Sequence, residues 1–232
     1  QLYRSATFFG YGIGEIVQIR GLVQTYHDVT TIAPSTITIV GAAHPPEPVF
    51  VSSLDANAEM YESVLVEIRD VVVTDVTTSD PGGNPWVVND GSGPLKVFTS
   101  LDDNMSYIPT EGEHLDYIKG VIDYTGENFQ LIPRSNTDVG MPFPPASPTP
   151  FPTPSTPTAT PAPYSTPTPG TVLPIAQVQG MGQNSPYIGS IVTVSGICQA
   201  MQTGRRSAFI ADAPGPWNGI ILYKETGWYG FQ

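Results

Sequence analysis

The sequence predicts an all-β protein built from five-stranded Greek-key barrels. Runs of β-branched and aromatic residues recur along the chain, and Gly, Pro, Asn and Asp separate them. Two runs are long for one straight strand, and each has Asp70 or Gly196 near its middle. A bend at such a residue lets one strand serve both sides of a small barrel. Short strands at this spacing are typical of a sandwich or a barrel.

The individual strands follow from the same pattern of apolar runs between turn-forming residues. The runs 15–26 and 114–125 carry a central glycine, Gly21 and Gly120. The best helix candidate is short, at residues 54–61. The predicted strands, in chain order, are residues 15–26, 35–41, 63–77, 85–90, 95–100, 114–125, 128–133, 190–201, 207–213 and 218–225.

Internal similarity groups these strands into units. Residues 61–72 align without a gap with residues 187–198, and residues 19–34 align with residues 118–133. The repeated unit is a long bent strand, two further strands, a connection, a long strand with a central glycine and a final strand. This is the five-stranded Greek-key barrel of the OB-fold.

The units are distributed unevenly along the chain. Residues 46–140 form a complete unit, residues 1–45 supply the back half of a unit, and residues 173–232 supply a front half. The chain is therefore expected to be a window of a longer modular protein. Each half leaves an unpaired sheet edge. We expect the halves to close one barrel, within or between chains, or to remain as two half-units.

A Pro/Thr-rich linker at residues 141–172 joins the units. Residues 142–170 contain twelve prolines, seven threonines and no charged residue. Proline fixes φ and lacks a backbone N–H group, so this stretch favours an extended polyproline II conformation. The composition predicts a spacer.

Charge and cysteine content limit the function classes. The net charge is −12, and residues 48–140 hold sixteen of the 21 acidic residues but four of the nine basic ones. Such a domain repels phosphate chains, and a solvated acidic surface is the favoured explanation. Cys198 is the only cysteine, so it forms no intramolecular disulfide, and its apolar run predicts a buried free thiol. No apolar run is long enough to span a membrane.

Aromatic and basic residues near the C-terminus form the main candidate ligand site. Aromatic stacking with basic residues suits single-stranded nucleic acid, and OB-fold surfaces also bind oligosaccharides. We expect weak binding of nucleic acid or polysaccharide. The alternative is that Trp217 and Tyr223 close one end of a barrel. The candidate residues are Arg205, Arg206, Trp217, Tyr223 and Trp228.

No metal, cofactor or catalytic constellation is predicted. A weak calcium candidate comprises Asp75, Asp80, Asn84 and Asp90, although turn formation by Pro-Gly and Asp-Gly explains the same residues. His27, His44 and His114 are not at zinc-ligand spacing. Because no hydrolase or nucleotide-binding motif occurs, the chain is predicted not to be an enzyme.

Four segments carry a resemblance to a known class of modules. Residues 174–197 and 209–223, and residues 86–97 and 119–135, resemble OB-like modules of secreted bacterial multidomain proteins. Such modules often accompany endonuclease/exonuclease/phosphatase-type extracellular nucleases, or lamin-tail-like and surface-anchoring domains. The resemblance implies a non-catalytic interaction or spacer module, located outside the cell or at its surface, with neighbouring domains as partners. The alternatives are an accessory nucleic-acid-binding module of a secreted nuclease and a carbohydrate-binding module.

Overall fold

The structure is a computed structural model that describes residues 10–76, 85–99, 105–140, 170–202 and 207–223. Within these ranges the protein is mostly β, and a five-residue helix, α1 (Ile175–Gln179), follows Pro174. The strands are β1 (Glu15–Tyr26), β2 (Val29–Ala42), β3 (Val49–Phe50), β4 (Leu65–Val76), β5 (Trp86–Asn89), β6 (Pro94–Val97), β7 (His114–Thr125), β8 (Asn128–Ile132), β9 (Val139–Gly140), β10 (Val172–Leu173), β11 (Ile191–Gln202), β12 (Ser207–Ala211) and β13 (Gly219–Tyr223).

Strands from both ends of the chain close a five-stranded barrel. The order is β1-β2-β13-β12-β11, and β1 also pairs with β11, which completes the ring. The β13–β2 pair is parallel, and the other pairs of the ring are antiparallel. Strands near the two ends of the chain therefore close one barrel together. We call this unit the split barrel.

The middle of the chain forms a second sheet with the same order of strands around the ring, but in this sheet the strands are consecutive in the chain. Its order is β4-β5-β6-β8-β7, with an additional β4–β7 pairing that closes the ring. The β6–β8 pair is parallel, as β13–β2 is in the split barrel. Short strands β3 and β9 pair with β4 and β7 outside the ring. We call this unit the continuous barrel.

Central glycines allow the long strands to pass close to their neighbours. A Cβ atom at Gly120 would lie 2.5 Å from the Ile132 carbonyl oxygen, and one at Gly21 would lie 2.5 Å from the Ala33 carbonyl oxygen. Gly120 therefore occupies the crowded mid-strand position that the sequence predicts. In β4, Asp70 adopts a φ of 50°, which gives that strand its mid-run irregularity.

Each barrel has its own apolar interior. In the split barrel, Val17, Ile19 and Val194 are fully buried together with Tyr11. In the continuous barrel, Trp86 is fully buried among the inward-facing residues of β4, β5 and β7. Along β1, buried residues alternate with more exposed ones, as expected for a strand with one face toward the interior.

The best helix candidate, residues 54–61, is not an α-helix in the structure. This segment consists of turns and one 3-10 turn at Glu59–Tyr61. The reason is that Ser53, just before it, bonds across the sheet to Asp90 and Gly93. These bonds hold the chain in a turn. The linker prediction lies mostly in residues 141–169, outside the described residues.

The two barrels pack against each other through an apolar junction. Hydrogen bonds between described residues also cross the junction. The Trp217 N–H donates to the Met60 carbonyl at 2.8 Å, and Gln199 Nε2 donates to the Ser63 carbonyl at 3.1 Å. The apolar residues are Val29, Ala200, Phe209 and Ile221 from the split barrel, and Leu65, Val121 and Ile132 from the continuous barrel.

Candidate functional site

A cleft of about 680 Å³ opens beside the junction between the barrels. Its volume lies within the range of small-molecule sites. We call it the junction cleft. The described residues that line it are Tyr26, His27, Val29, Thr31, Gln202, Ser207, Ile221 and Tyr223 from the split barrel, and Asp123, Tyr124, Thr125 and Gly126 from the continuous barrel.

Two similar hairpin turns bring the barrels together at this cleft. In the β1–β2 turn, His27 and Asp28 have φ angles of 49° and 65°. In the β7–β8 turn, Gly126 and Glu127 have φ angles of 60° and 64°. Positive φ at both central residues defines the tight two-residue turn that matches strand twist. The residues before each turn, Tyr26 and Thr125, therefore lie at fixed positions on the cleft wall.

A pair of tyrosines forms one wall of the junction cleft. The Tyr26 and Tyr223 rings stack with centroids 4.0 Å apart and an interplanar angle of 23°. The Tyr223 hydroxyl donates to the Tyr26 hydroxyl at 2.8 Å. Tyr124, from the continuous barrel, packs against the junction residues and contacts the Phe129 ring. The aromatic surface is thus fixed before any ligand arrives.

A buried amide in the cleft wall lacks a hydrogen-bond partner. Gln202 is 3% exposed, and its Nε2 atom donates to no group in the structure. On the opposite wall, Asp123 accepts from Thr125 Oγ1 at 2.9 Å and from Gln130 Nε2 at 3.3 Å. Buried polar groups are nearly always paired, so an unpaired donor beside a cleft is unusual.

Among the described residues, the charged groups at the junction cleft are acidic, whereas Arg205 and Arg206, which lie between Gln202 and Ser207 in sequence, are outside the described ranges. Among its described lining residues there is no Lys or Arg, whereas Asp123 contributes a carboxylate. The exposed tips of the two turns carry Asp28 and Glu127. The described part of the site therefore offers aromatic rings, hydroxyls, an amide and carboxylates.

A buried carboxyl interacts electrostatically with Asp123 of the cleft wall. Glu62 is 1% exposed, and neither of its carboxyl oxygens makes a hydrogen bond in the structure. The Gln179 amide is near it but outside hydrogen-bonding geometry. Burial, and then repulsion from Glu59 and Asp123, raise the pKa of Glu62 well above its ordinary value, with a smaller opposing effect from Gln179.

The structure describes two of the five predicted ligand-site residues, Trp217 and Tyr223. Tyr223 lines the junction cleft. Trp217 is half-buried in the turn between β12 and β13, where its backbone contacts Met60, and it does not line the cleft. The other three candidates, Arg205, Arg206 and Trp228, lie outside the described residues.

The calcium candidates are not assembled in the described ranges. Asp75 lies exposed in β4, and Asp80 and Asn84 lie outside the described residues. Asp90 accepts hydrogen bonds from Ser53 and Ser92. Burial raises its pKa, but these bonds outweigh burial and lower the pKa overall. Among the described residues, no group of three or more His, Cys, Asp or Glu side chains could hold a metal ion.

The most important cleft residues were missed by the sequence analysis. Tyr26, Tyr124 and Gln202 lie on strands that are far apart in sequence. Their only local signal is that each sits at or beside the end of a predicted long strand. Docking of one barrel on the other brings them together, and strand periodicity contains no information about docking.

Comparison with known proteins does not assign a function to the junction cleft. No protein-family model, no curated protein and no solved structure matches the chain. In the parts of the chain that the structure describes, no helix has the length and apolarity needed to cross a membrane.

Proposed function

We propose that this chain is a non-catalytic interaction module of an extracellular bacterial multidomain protein, and that it binds its ligand in the junction cleft. The observation that carries this proposal is the cleft itself. It is of ligand size, it has a pre-stacked tyrosine pair, and residues of both barrels line it. Ligand sites occur preferentially where two domains meet.

Strand order supports an OB-type fold for both barrels. Around the continuous barrel the strand order is β4-β5-β6-β8-β7. Numbered along the chain, these are the first, second, third, fifth and fourth strands of the unit, and the third and fifth are parallel. The split barrel has the same order, β11-β12-β13-β2-β1. OB-folds bind ligands on the face of strands two and three and at the loops joining strands one to two and four to five. Tyr223, Ser207 and Tyr26 occupy those positions.

The proposed location rests on the sequence. The uncharged Pro/Thr-rich stretch and the resemblance to modules of secreted bacterial proteins favour a place outside the cell or at its surface. Neighbouring domains of the same protein are the proposed covalent partners. In this view the module supplies binding, and chemistry belongs to other domains.

A titration followed by nuclear magnetic resonance tests the proposed function. The full chain, labelled with ¹⁵N, is titrated with cellohexaose, maltohexaose, mannohexaose, oligothymidylate and an acidic peptide. We expect at least one probe to shift amide signals of Tyr26, Tyr124 and Gln202, and we expect chromatography to recover every probe intact. Cleavage of a probe, or shifts confined to the opposite side of the molecule, would overturn the proposal.

A further inference from the structure

We propose that the junction between the barrels is a proton-controlled joint, which stays closed while the buried carboxyl of Glu62 is protonated and opens more often when that carboxyl is ionised. In the open joint the barrels are separated and both remain folded. The inference goes beyond the proposed function, because it involves no ligand. Three features of the molecule carry it: the position of Glu62, the unpaired polar atoms around it and the charges that face it.

Glu62 lies in a segment of the continuous barrel that the split barrel contacts on both sides. Two residues before it, the Met60 carbonyl accepts a hydrogen bond from the Trp217 N–H at 2.8 Å. One residue after it, the Ser63 carbonyl accepts a hydrogen bond from Gln199 Nε2 at 3.1 Å. Glu62 itself is 1% exposed. Separation of the barrels therefore removes the contacts on both sides of Glu62 and gives water access to this segment.

The polar atoms around Glu62 lack hydrogen-bond partners. Neither of its carboxyl oxygens is bonded, and the same is true of the Ser63 hydroxyl and of the side-chain nitrogen and oxygen of Gln179. Gln179 is a buried residue at the end of α1 in the split barrel, and it interacts with Glu62 across the junction. Buried polar groups are nearly always paired, and an unpaired one is costly. This cluster therefore makes the closed junction less stable than its apolar residues alone would make it.

The surroundings of Glu62 disfavour its ionisation while the joint is closed. Burial has the largest effect and raises the pKa of Glu62 well above its ordinary value, and repulsion from Glu59 on the 3-10 turn and from Asp123 on β7 raises the pKa further. From the split barrel, α1 presents Gln179 and β11 presents Gln199, and both are uncharged. The Gln179 amide has a smaller, opposing effect on the pKa.

Proton linkage gives the direction and the size of the effect. In the open joint the carboxyl meets water, so its pKa falls toward the ordinary value of about 4.3. Closure is therefore strongest below about pH 4.3, and it weakens as the pH rises toward the raised pKa of the closed joint. Between those two pKa values, the equilibrium constant for opening should rise about tenfold for each pH unit.

Native-state hydrogen exchange of the full ¹⁵N-labelled chain tests the inference. The reporter is the N–H of Trp217, which bonds across the junction. The references are the N–H groups of Ile19 and Ile68, which are fully buried inside the two barrels. Division of each measured rate by the intrinsic chemical rate gives an opening constant. We expect the Trp217 N–H to exchange faster than the references, with an opening constant that rises about tenfold per pH unit above about pH 4.3.

Matched variants identify the group that controls the joint. Glu62→Gln keeps the size of the side chain but cannot ionise, so the opening constant at Trp217 should lose its pH dependence. Glu111→Gln changes an exposed carboxyl and should keep the natural pH dependence. Gln179→Met removes an amide that favours the ionised carboxyl, so the rise in opening should extend to higher pH. Circular dichroism confirms that each variant is folded.

The outcomes either support or overturn the joint. If the Trp217 N–H exchanges as slowly as the references, the barrels do not open without unfolding, and the inference is overturned. It is also overturned if the opening constant does not change with pH, or if Glu62→Gln keeps the natural pH dependence. An unchanged pH range in Gln179→Met would show that the split barrel does not act on Glu62. None of these results bears on ligand binding, so the proposed function stands or fails separately.

Discussion

Burial controls the ionisation of individual residues in this protein, and Glu62 shows it most clearly. Its carboxyl lies at the barrel junction, near Glu59, Asp123 and the Gln179 amide, and no hydrogen bond compensates for the loss of water. Its folded-state pKa is raised above the unfolded value of about 4.3. Stability from this group is therefore complete below about pH 4.3 and is lost as the pH rises through the folded pKa.

We expect Glu62→Gln to stabilise the protein at neutral pH. Because burial raises the folded-state pKa, the ionised carboxyl destabilises the native state at pH 7, and the variant should be more stable there than the natural chain. The gain should shrink toward pH 4. Urea denaturation at several pH values measures it, with the exposed Glu111→Gln as control. A gain that is constant across pH would show that Glu62 is not the responsible group.

The buried thiol of Cys198 should be unreactive in the folded protein. Burial, then the nearby charge of Glu15, raise its pKa to about 12, with a smaller opposing effect from a backbone hydrogen bond of Ala200. The thiolate is the reactive form. We expect Ellman's reagent at pH 8 to react at least about a thousandfold more slowly with the native chain than with the chain in guanidinium chloride. Equal rates would mean that the thiol is accessible.

At the scale of strands, tight approach at the central glycines determines how the barrels curve. Gly120→Ala would place a Cβ atom 2.5 Å from both the Ile132 carbonyl oxygen and Leu131 Cδ2. We expect a loss of about 1–3 kcal/mol in the free energy of unfolding, as for other overpacked cores. Gly182→Ala is the control, because a Cβ atom there meets nothing within 4 Å.

Urea denaturation of both glycine variants measures this difference. Gly182→Ala should stay within about 0.5 kcal/mol of the natural chain. Equal stability of Gly120→Ala and the natural chain would contradict the close approach of β7 to β8.

Most strands were predictable because runs of β-branched and aromatic residues lie between turn-forming residues. Strands β1 and β7 were predicted with their observed bounds, 15–26 and 114–125. The two-residue strands β3, β9 and β10 and the five-residue helix α1 were missed, since such short segments show no period. β2 begins at Val29, ahead of the predicted residue 35, because its first residues pair with β1 directly after the tight turn.

A bulge shows how an element adapts to its neighbour. The β11–β12 register shifts between Cys198 and Ala200, so Gln199 is an extra residue in β11. Bulges redirect side chains, and here Gln199 donates to the Ser63 carbonyl of the continuous barrel. The sequence predicted a long strand with a central irregularity. It did not predict this contact, which depends on the partner barrel.

At the scale of the whole molecule, the two barrels should unfold together. Apolar residues from both units form one cluster at the junction, and Trp217 and Gln199 add hydrogen bonds across it. Gly219 makes the close approach possible, because a Cβ atom there would collide with the Ser63 carbonyl. We therefore expect the natural chain to show one cooperative transition in urea, the same by far-UV circular dichroism and by tryptophan fluorescence.

Gly219→Ala should separate that transition into two. The added methyl group displaces the Ser63 backbone and weakens the junction, while the interiors of both barrels keep their contacts. Trp86 is buried in the continuous barrel, whereas circular dichroism reports on both barrels. The unfolding curve measured by tryptophan fluorescence should then differ from the curve measured by circular dichroism. Gly12→Ala is the matched control, since a Cβ atom at Gly12 has nothing within 4 Å. If the two probes remain coincident in Gly219→Ala, with the midpoint of the natural chain, then the barrels are not coupled through this contact. The same variant should weaken the binding of any ligand in the junction cleft, because the walls of the cleft come from both barrels.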